Sequence, residues 1–195
     1  MAQTREETGA KPRIFLVGPM GAGKTTIGQH LARRLKLDFF DSDREIEHRT
    51  GVTIPLIFEL EGEQGFRDRE SAMIDELTQL EGVVVATGGG AVLREQNRRH
   101  LHERGTVIYL SAPVSQLVER TTGSRNRPLL QVDDPAQKLE QLMTEREPLY
   151  RDVAHITLDT HRRTVRTIVG RLLKLLNPAA TPPRHTPGRV RDSRA

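Results

Sequence analysis

The residues Gly18-Pro19-Met20-Gly21-Ala22-Gly23-Lys24-Thr25 limit what this chain can fold into more than any other stretch. They follow the apolar run Ile14-Phe15-Leu16-Val17. They precede a segment in which Ile27, Leu31 and Leu35 recur at helical spacing with basic residues opposite. A strand, a glycine-rich turn and a helix in that order form a cradle for phosphate. Glycines let backbone N–H groups wrap the anion, and the helix N-terminus adds its partial positive charge. The lysine ammonium reaches the β and γ oxygens, and the threonine hydroxyl suits Mg²⁺. Gly21, Ala22, Gly23, Lys24, Thr25 and Thr26 are therefore candidate phosphate-binding residues, with the helix expected to begin near Thr25. The pattern marks a P-loop NTP-binding domain. It leaves open whether that domain is a kinase, a GTPase or a motor, so the acceptor side has to decide.

Short apolar runs at Ile14–Val17, Phe39–Phe40, Val83–Ala86, Val107–Leu110 and Ile156–Leu158 alternate with longer helical patterns. This rhythm predicts an α/β, three-layer P-loop fold around a parallel sheet of about five strands, with ligands at the strand C-terminal edge. A chain of 195 residues suits one such domain, expected over residues 13–176. Residues 1–12 are polar and read as a disordered N-terminus. The stretch TTGSRNRPLLQVDDP, from Thr121 to Pro135, breaks the rhythm with Gly, Pro and charge and reads as a mobile lid over about 121–135. Residues 177–195 are rich in Pro and almost devoid of large apolar side chains, so they read as a disordered basic tail.

The net charge of +4 suggests a nucleic-acid partner until it is located: Arg184, Arg189, Arg191 and Arg194 face only Asp192 in the tail, which holds most of the excess. The tail is read as a solvated terminus, the alternative being a grip on RNA or an acidic partner. Cysteine is absent, so disulfides and thiolate metal sites are excluded, as suits a reducing cytoplasm. No run approaches the roughly 18 apolar residues of a membrane helix, and no signal-peptide core is apparent. A cytoplasmic protein with no membrane partner is expected.

Five further stretches carry candidate chemistry. Phe39-Phe40-Asp41-Ser42-Asp43 is a short strand ending in two carboxylates. One of them can hold water of a Mg²⁺ shell, and the other can orient an acceptor hydroxyl. Alternatively, Asp43 merely caps a helix over Arg44–Arg49. In Gly62-Glu63-Gln64-Gly65-Phe66-Arg67-Asp68-Arg69-Glu70, Arg67 and Glu70 lie three apart on a predicted helix, so the carboxylate can fix the guanidinium or simply form a surface pair. Val83–Ala86 runs through Thr87 into Gly88-Gly89-Gly90, and three consecutive glycines imply backbone in close contact with a ligand. Arg127, in Arg127-Pro128-Leu129-Leu130, lies in the lid. Arg146, in Glu145-Arg146-Glu147-Pro148-Leu149-Tyr150, is expected near the end of a helix over Lys138–Tyr150.

Taken in order and spacing, GPMGAGKTTIG, DSD, GEQGFRDRE, TGGGAV, RPLL and EREPLY resemble the shikimate kinase family over roughly residues 12–176. That resemblance implies ATP as co-substrate, one Mg²⁺ per subunit and shikimate as acceptor. Asp43 then matches the carboxylate that binds ring hydroxyls, and Arg67 and Arg146 match the arginines that hold the substrate carboxylate. Gly88, Gly89 and Gly90 line the same pocket, with Gly89 a backbone donor. On the nucleotide side the phosphate loop spans Gly21–Thr26, Thr25 is the Mg²⁺ ligand, and Asp41 holds a metal-bound water. Arg127 reaches the transferring phosphate, Arg120 stacks on adenine, and Arg163 falls where the chain passes the base. His161-Arg162-Arg163-Thr164 lacks the proline that some relatives place there.

The implied catalytic set is Lys24, Asp43 and Arg127, acting as a monomer. A gluconate or nucleoside kinase would share the cradle and lid without the FRDRE and triple-glycine pair. A nucleotide-switched module would bind a partner and hydrolyse slowly. The chain has no guanine-reading Asn-Lys-x-Asp motif, which disfavours a GTPase.

Overall fold

The computed structural model describes residues 11–121, 132 and 134–176. Arg127, most of the lid, the tail and nearly all of the N-terminal segment lie outside the described residues. The described chain runs β1 (Arg13–Val17), α1 (Lys24–Leu35), β2 (Asp38–Asp41), α2 (Ser42–Thr50), α3 (Ile54–Leu77) and β3 (Val83–Ala86). It continues through α4 (Glu95–Arg104), β4 (Thr106–Ser111), α5 (Val114–Thr121), α6 (Pro135–Val153), β5 (Ile156–Asp159) and α7 (Val165–Leu176). The strands pair in parallel in the order β2-β3-β1-β4-β5, and all five stand where the apolar runs predict them.

Parallel strands joined by crossover helices are covered on both faces, which is why β1 and β3 are apolar without alternation. In β1, Ile14 and Leu16 pack with Ile27, Leu31 and Leu172 on one side of the sheet. Phe15 and Val17 pack with Ile74, Leu101 and Tyr150 on the other. These two cores make the three layers. β1 and β3 are neighbours, yet α1 leaves to the first face and α4 to the second. The strand ends therefore splay into a crevice, as at the switch point of an open α/β sheet.

Local chemistry sets the element ends. α1 starts after Gly23, in the left-handed region at φ 93, which explains the glycine there. α2 begins at Ser42 because the extended Asp41 caps it, its carboxylate accepting from the Asp43 and Arg44 N–H groups. The alternative in which Asp43 is the cap is thus replaced by Asp41. α6 starts at Pro135 behind the capping Asp134, whose carboxylate accepts from Gln137 N. It is longer at both ends than the expected Lys138–Tyr150 because Asp-Pro is itself a helix start signal. α3 is kinked at Gly62 (φ 70, ψ −178). The kink is braced on its outer side by Glu61, which accepts from Arg69 Nε and Nη2 at 2.8 and 2.7 Å.

Candidate active site

The phosphate loop closes on itself. Lys24 Nζ donates to the Gly18 and Pro19 carbonyls at 2.6 and 2.9 Å, and Ala22 N returns to Pro19 O at 3.2 Å. Gly21 and Gly23 both have positive φ, a conformation that turns successive N–H groups inward as an anion nest. The end of α5 supports the loop. Arg120 donates to Gly21 O at 3.1 Å, and a Cβ on Gly21 would meet Thr121 Cγ2 at 3.0 Å.

Asp41 joins this loop to β2. Its Oδ2 accepts from the Thr25 hydroxyl at 2.6 Å while Oδ1 caps α2. A hydroxyl and a carboxylate thus stand side by side at the phosphate end of the sheet. They are hard oxygen donors of the kind Mg²⁺ takes alongside substrate phosphates and water.

The acceptor side is built on Gly88-Gly89-Gly90. None of these three has positive φ, so the glycines serve space rather than conformation. A Cβ on Gly88 would meet Glu70 Oε1 at 2.5 Å and Asp43 Oδ1 at 2.6 Å, and a Cβ on Gly90 would run into the Arg67 guanidinium. The triplet is therefore a flat floor on which the protein's own charged side chains lie. Gly88 N is held by the Ser42 hydroxyl at 2.9 Å, and Thr87 ties the loop to Leu16 O.

Arg67 Nη1 donates to Glu70 Oε2 at 2.6 Å, with both side chains buried. Nη2 and Nε donate to Glu63 at 2.9 and 3.3 Å. Arg146 is also buried, at 5% exposure, with its Nε lacking a partner among the described residues. It stands two turns before the end of α6 rather than at the helix end. A buried cation left partly unpaired is costly unless a ligand completes it. Asp43 is half-buried, and its Oδ1 is sealed from solvent without a hydrogen-bond partner among the described residues. Burial, then Glu70 and Asp41, push its carboxyl up to about 7 against the opposing pull of Lys24 and Arg67. Burial likewise raises Glu70 above the usual carboxylate range.

One cavity of about 590 Å³ connects these parts, with Lys24, Thr25 and Thr26 at one end and Asp43, Arg67 and Arg146 at the other. Gly88, Gly89, Gly90 and Arg120 line it too, and the kink in α3 brings Ile54 and Phe58 to its wall. Arg163 is exposed on the β5–α7 connection and is not among the lining residues. Glu63, Ser42, Ile54 and Phe58 are site residues that the sequence reading missed. Glu63 carried a visible signal, its spacing of four from Arg67.

The model of the shikimate kinase family matches residues 20–177. A shikimate kinase of Ralstonia nicotianae is 60% identical over 166 residues, covering 85% of this chain and 87% of that one. The solved shikimate kinase of Acinetobacter baumannii in complex with shikimate superposes with TM-score 0.85 at 52% identity, over 87% of this chain and 95% of that one. A gluconokinase from Sinorhizobium meliloti reaches TM-score 0.50 at 14% identity over 87% and 98% of the two chains. At that distance it shares the fold alone. Family match, close relatives and charged acceptor floor agree: the chain belongs to the shikimate kinase family.

Proposed function

We propose that the protein transfers the γ-phosphate of ATP to the 3-hydroxyl of shikimate. The products are shikimate 3-phosphate and ADP, in a step of chorismate and aromatic amino acid biosynthesis. The supporting observation is the single cavity that joins the phosphate loop to a carboxylate base and two buried arginines. A neutral sugar or a nucleoside base gives two buried guanidinium groups no anion to hold, whereas shikimate brings one carboxylate.

In this reading Arg67 and Arg146 bind that carboxylate through their planar forks, and the Gly89 N–H donates to the substrate from the glycine floor. Asp43 accepts the 3-hydroxyl proton as the oxygen attacks the γ-phosphorus in line and the bond to the β-phosphate oxygen breaks. Gly21–Thr26 cradle the phosphates, and Lys24 Nζ turns from the loop carbonyls to the β and γ oxygens. Thr25 would hold Mg²⁺, and Asp41 would hold it through water, as their adjoining hard oxygens fit. Bound Mg²⁺ supplies charge neutralisation on the phosphate oxygens. Arg127, which lies outside the described residues, is the residue that the family resemblance assigns to the transferring phosphate. Arg120 stacks on adenine from the end of α5, while Arg163 lies further along the path of the base. The enzyme works as a cytoplasmic monomer on residues 13–176. Among the described residues no helix is long and apolar enough to cross a membrane.

A coupled ADP-release assay with shikimate, gluconate and nucleosides as alternative acceptors tests this. Turnover with shikimate alone is expected. Silence with shikimate and turnover with another acceptor would overturn the assignment.

A further inference from the structure

Gly88-Gly89-Gly90 uses nearly all of its backbone hydrogen-bonding groups within the protein. Gly88 N is not available to a substrate because it donates to the Ser42 hydroxyl. Gly88 O and Gly90 O receive Ala91 N and Leu93 N. Gly89 O receives the hydroxyl of Tyr150, from α6. Within the triplet, the Gly89 and Gly90 N–H groups are left without a partner among the described residues. Both residues line the cavity, and Gly90 is buried. A buried N–H with no protein partner needs a ligand or water to satisfy it.

The Gly89 C=O and the Gly90 N–H belong to one peptide unit. Because that unit is planar and trans, the two groups point in opposite directions. A donor that holds the carbonyl toward α6 therefore aims the Gly90 N–H away from α6. Without it, glycine on both sides leaves the peptide nearly free to rotate. Tyr150 also stands one helical turn after Arg146, the α6 cation of the acceptor site. Its ring is stacked on Tyr109 at 5.2 Å, and it is only 1% exposed, so the hydroxyl has little freedom of its own. Burial raises the hydroxyl well above its ordinary range despite the Arg146 guanidinium beside it, which keeps it a donor.

We propose that Tyr150 is a positioning residue for the acceptor: its hydroxyl fixes the 89–90 peptide so that the Gly90 N–H becomes a second, pre-aimed donor to the substrate, in register with Arg146. This rests on the assignment of the cavity to shikimate. The substrate meets a donor already oriented, so its binding does not have to order the glycine loop.

Tyr109 provides the matched control. It has the same ring in the same stack, but its hydroxyl is buried with no hydrogen-bond partner among the described residues. Full-length Tyr150→Phe and Tyr109→Phe enzymes are compared with the parent, varying shikimate and ATP separately. Tyr150→Phe is expected to raise the KM for shikimate by about tenfold, the scale of one neutral hydrogen bond, with the KM for ATP unchanged. Tyr109→Phe is expected to match the parent in both. A parental shikimate KM in Tyr150→Phe, or equal rises in both KM values, would overturn the positioning role. If Tyr150→Phe does not fold, the ¹⁵N-resolved amide of Gly90 in the parent decides. It must shift on addition of shikimate, and an unmoved amide overturns the proposal. A parent that folds and binds ATP but ignores shikimate would instead overturn the substrate assignment on which the proposal rests.

Discussion

Arg67 lies flat over Gly90 where a Cβ would stand, with its Nη1 bonded at 2.6 Å to the buried carboxylate of Glu70. The guanidinium is thus oriented before any substrate arrives. Its value lies in the planar fork as much as in the charge. Arg67→Lys keeps the charge and loses the fork. It should lower kcat/KM for shikimate by about 2 kcal/mol, roughly 30-fold, and leave the KM for ATP unchanged. Steady-state kinetics with each substrate varied in turn checks this. A parental kcat/KM would make Arg67 a structural ion-pair residue.

The same contact makes Gly90 the more restrictive of two comparable glycine sites. Gly90→Ala places a methyl group against the Arg67 guanidinium, which is held by Glu70 and Glu63 and cannot swing aside cheaply. Gly88→Ala would meet the Glu70 and Asp43 carboxylate oxygens, and those oxygens have no hydrogen-bond partner to lose among the described residues. Overpacking of this kind costs about 1–3 kcal/mol. Gly90→Ala is expected to abolish shikimate binding by isothermal titration while ATP binding persists. Gly88→Ala should weaken shikimate binding less. The reverse ranking would mean that Arg67 is not the group fixed by the floor.

These glycines also show where sequence could and could not be read. Gly21–Thr25, Asp41-Ser42-Asp43 and Arg67 with Glu70 were legible because each works within one turn or one strand end, where spacing dictates geometry. The triplet Gly88-Gly89-Gly90 was legible as a close approach, but not as an approach by Asp43, Glu70 and Arg67, which come from other elements. Which of Asp41 and Asp43 caps α2 depended on a backbone turn at Asp41 that both residues could have made. In the sequence Tyr150 stands only as the last residue of EREPLY and of the expected helix. Its partner Gly89 is 61 residues away, a separation over which no periodicity carries information. The start of α6 at Asp134-Pro135 carries its own helix start signal, yet the same Gly-, Pro- and charge-rich stretch reads equally as the end of the lid.

Thr25 and Asp41 share a hydrogen bond of 2.6 Å that a metal ligand pair would have to rearrange. Thr25→Val removes the hydroxyl and leaves Asp41 capping α2 through its other oxygen. The variant should fold with a melting temperature close to that of the parent. Its affinity for ATP measured with Mg²⁺ should fall by about tenfold or more, while its affinity without Mg²⁺ changes little. Equal losses with and without Mg²⁺ would place Thr25 on the phosphate rather than on the metal.

Asp43 couples stability to the same chemistry. Its carboxyl is raised to about 7 in the folded protein by burial and by Glu70 and Asp41, from an unfolded value of 3.8. Between those two values the folded state binds a proton that the unfolded state has lost, so stability falls as pH rises through this window and levels off above the folded value. Asp43→Asn removes the titration and keeps the shape, and the α2 cap is untouched because it belongs to Asp41. The variant should therefore match the parent in melting temperature at about pH 4 and exceed it at about pH 8. The gain should be on the order of 2 kcal/mol, since part of the residue still faces water. Its turnover should nevertheless be nearly lost, because the amide cannot take the proton of the hydroxyl. In the parent, kcat/KM for shikimate should rise with pH through about 7 as the carboxylate forms. Thermal melts and kinetics across the pH range test both halves. A variant no more stable than the parent at the alkaline end would mean that the Asp43 carboxylate is well solvated. A variant with near-parental turnover would remove it from the reaction.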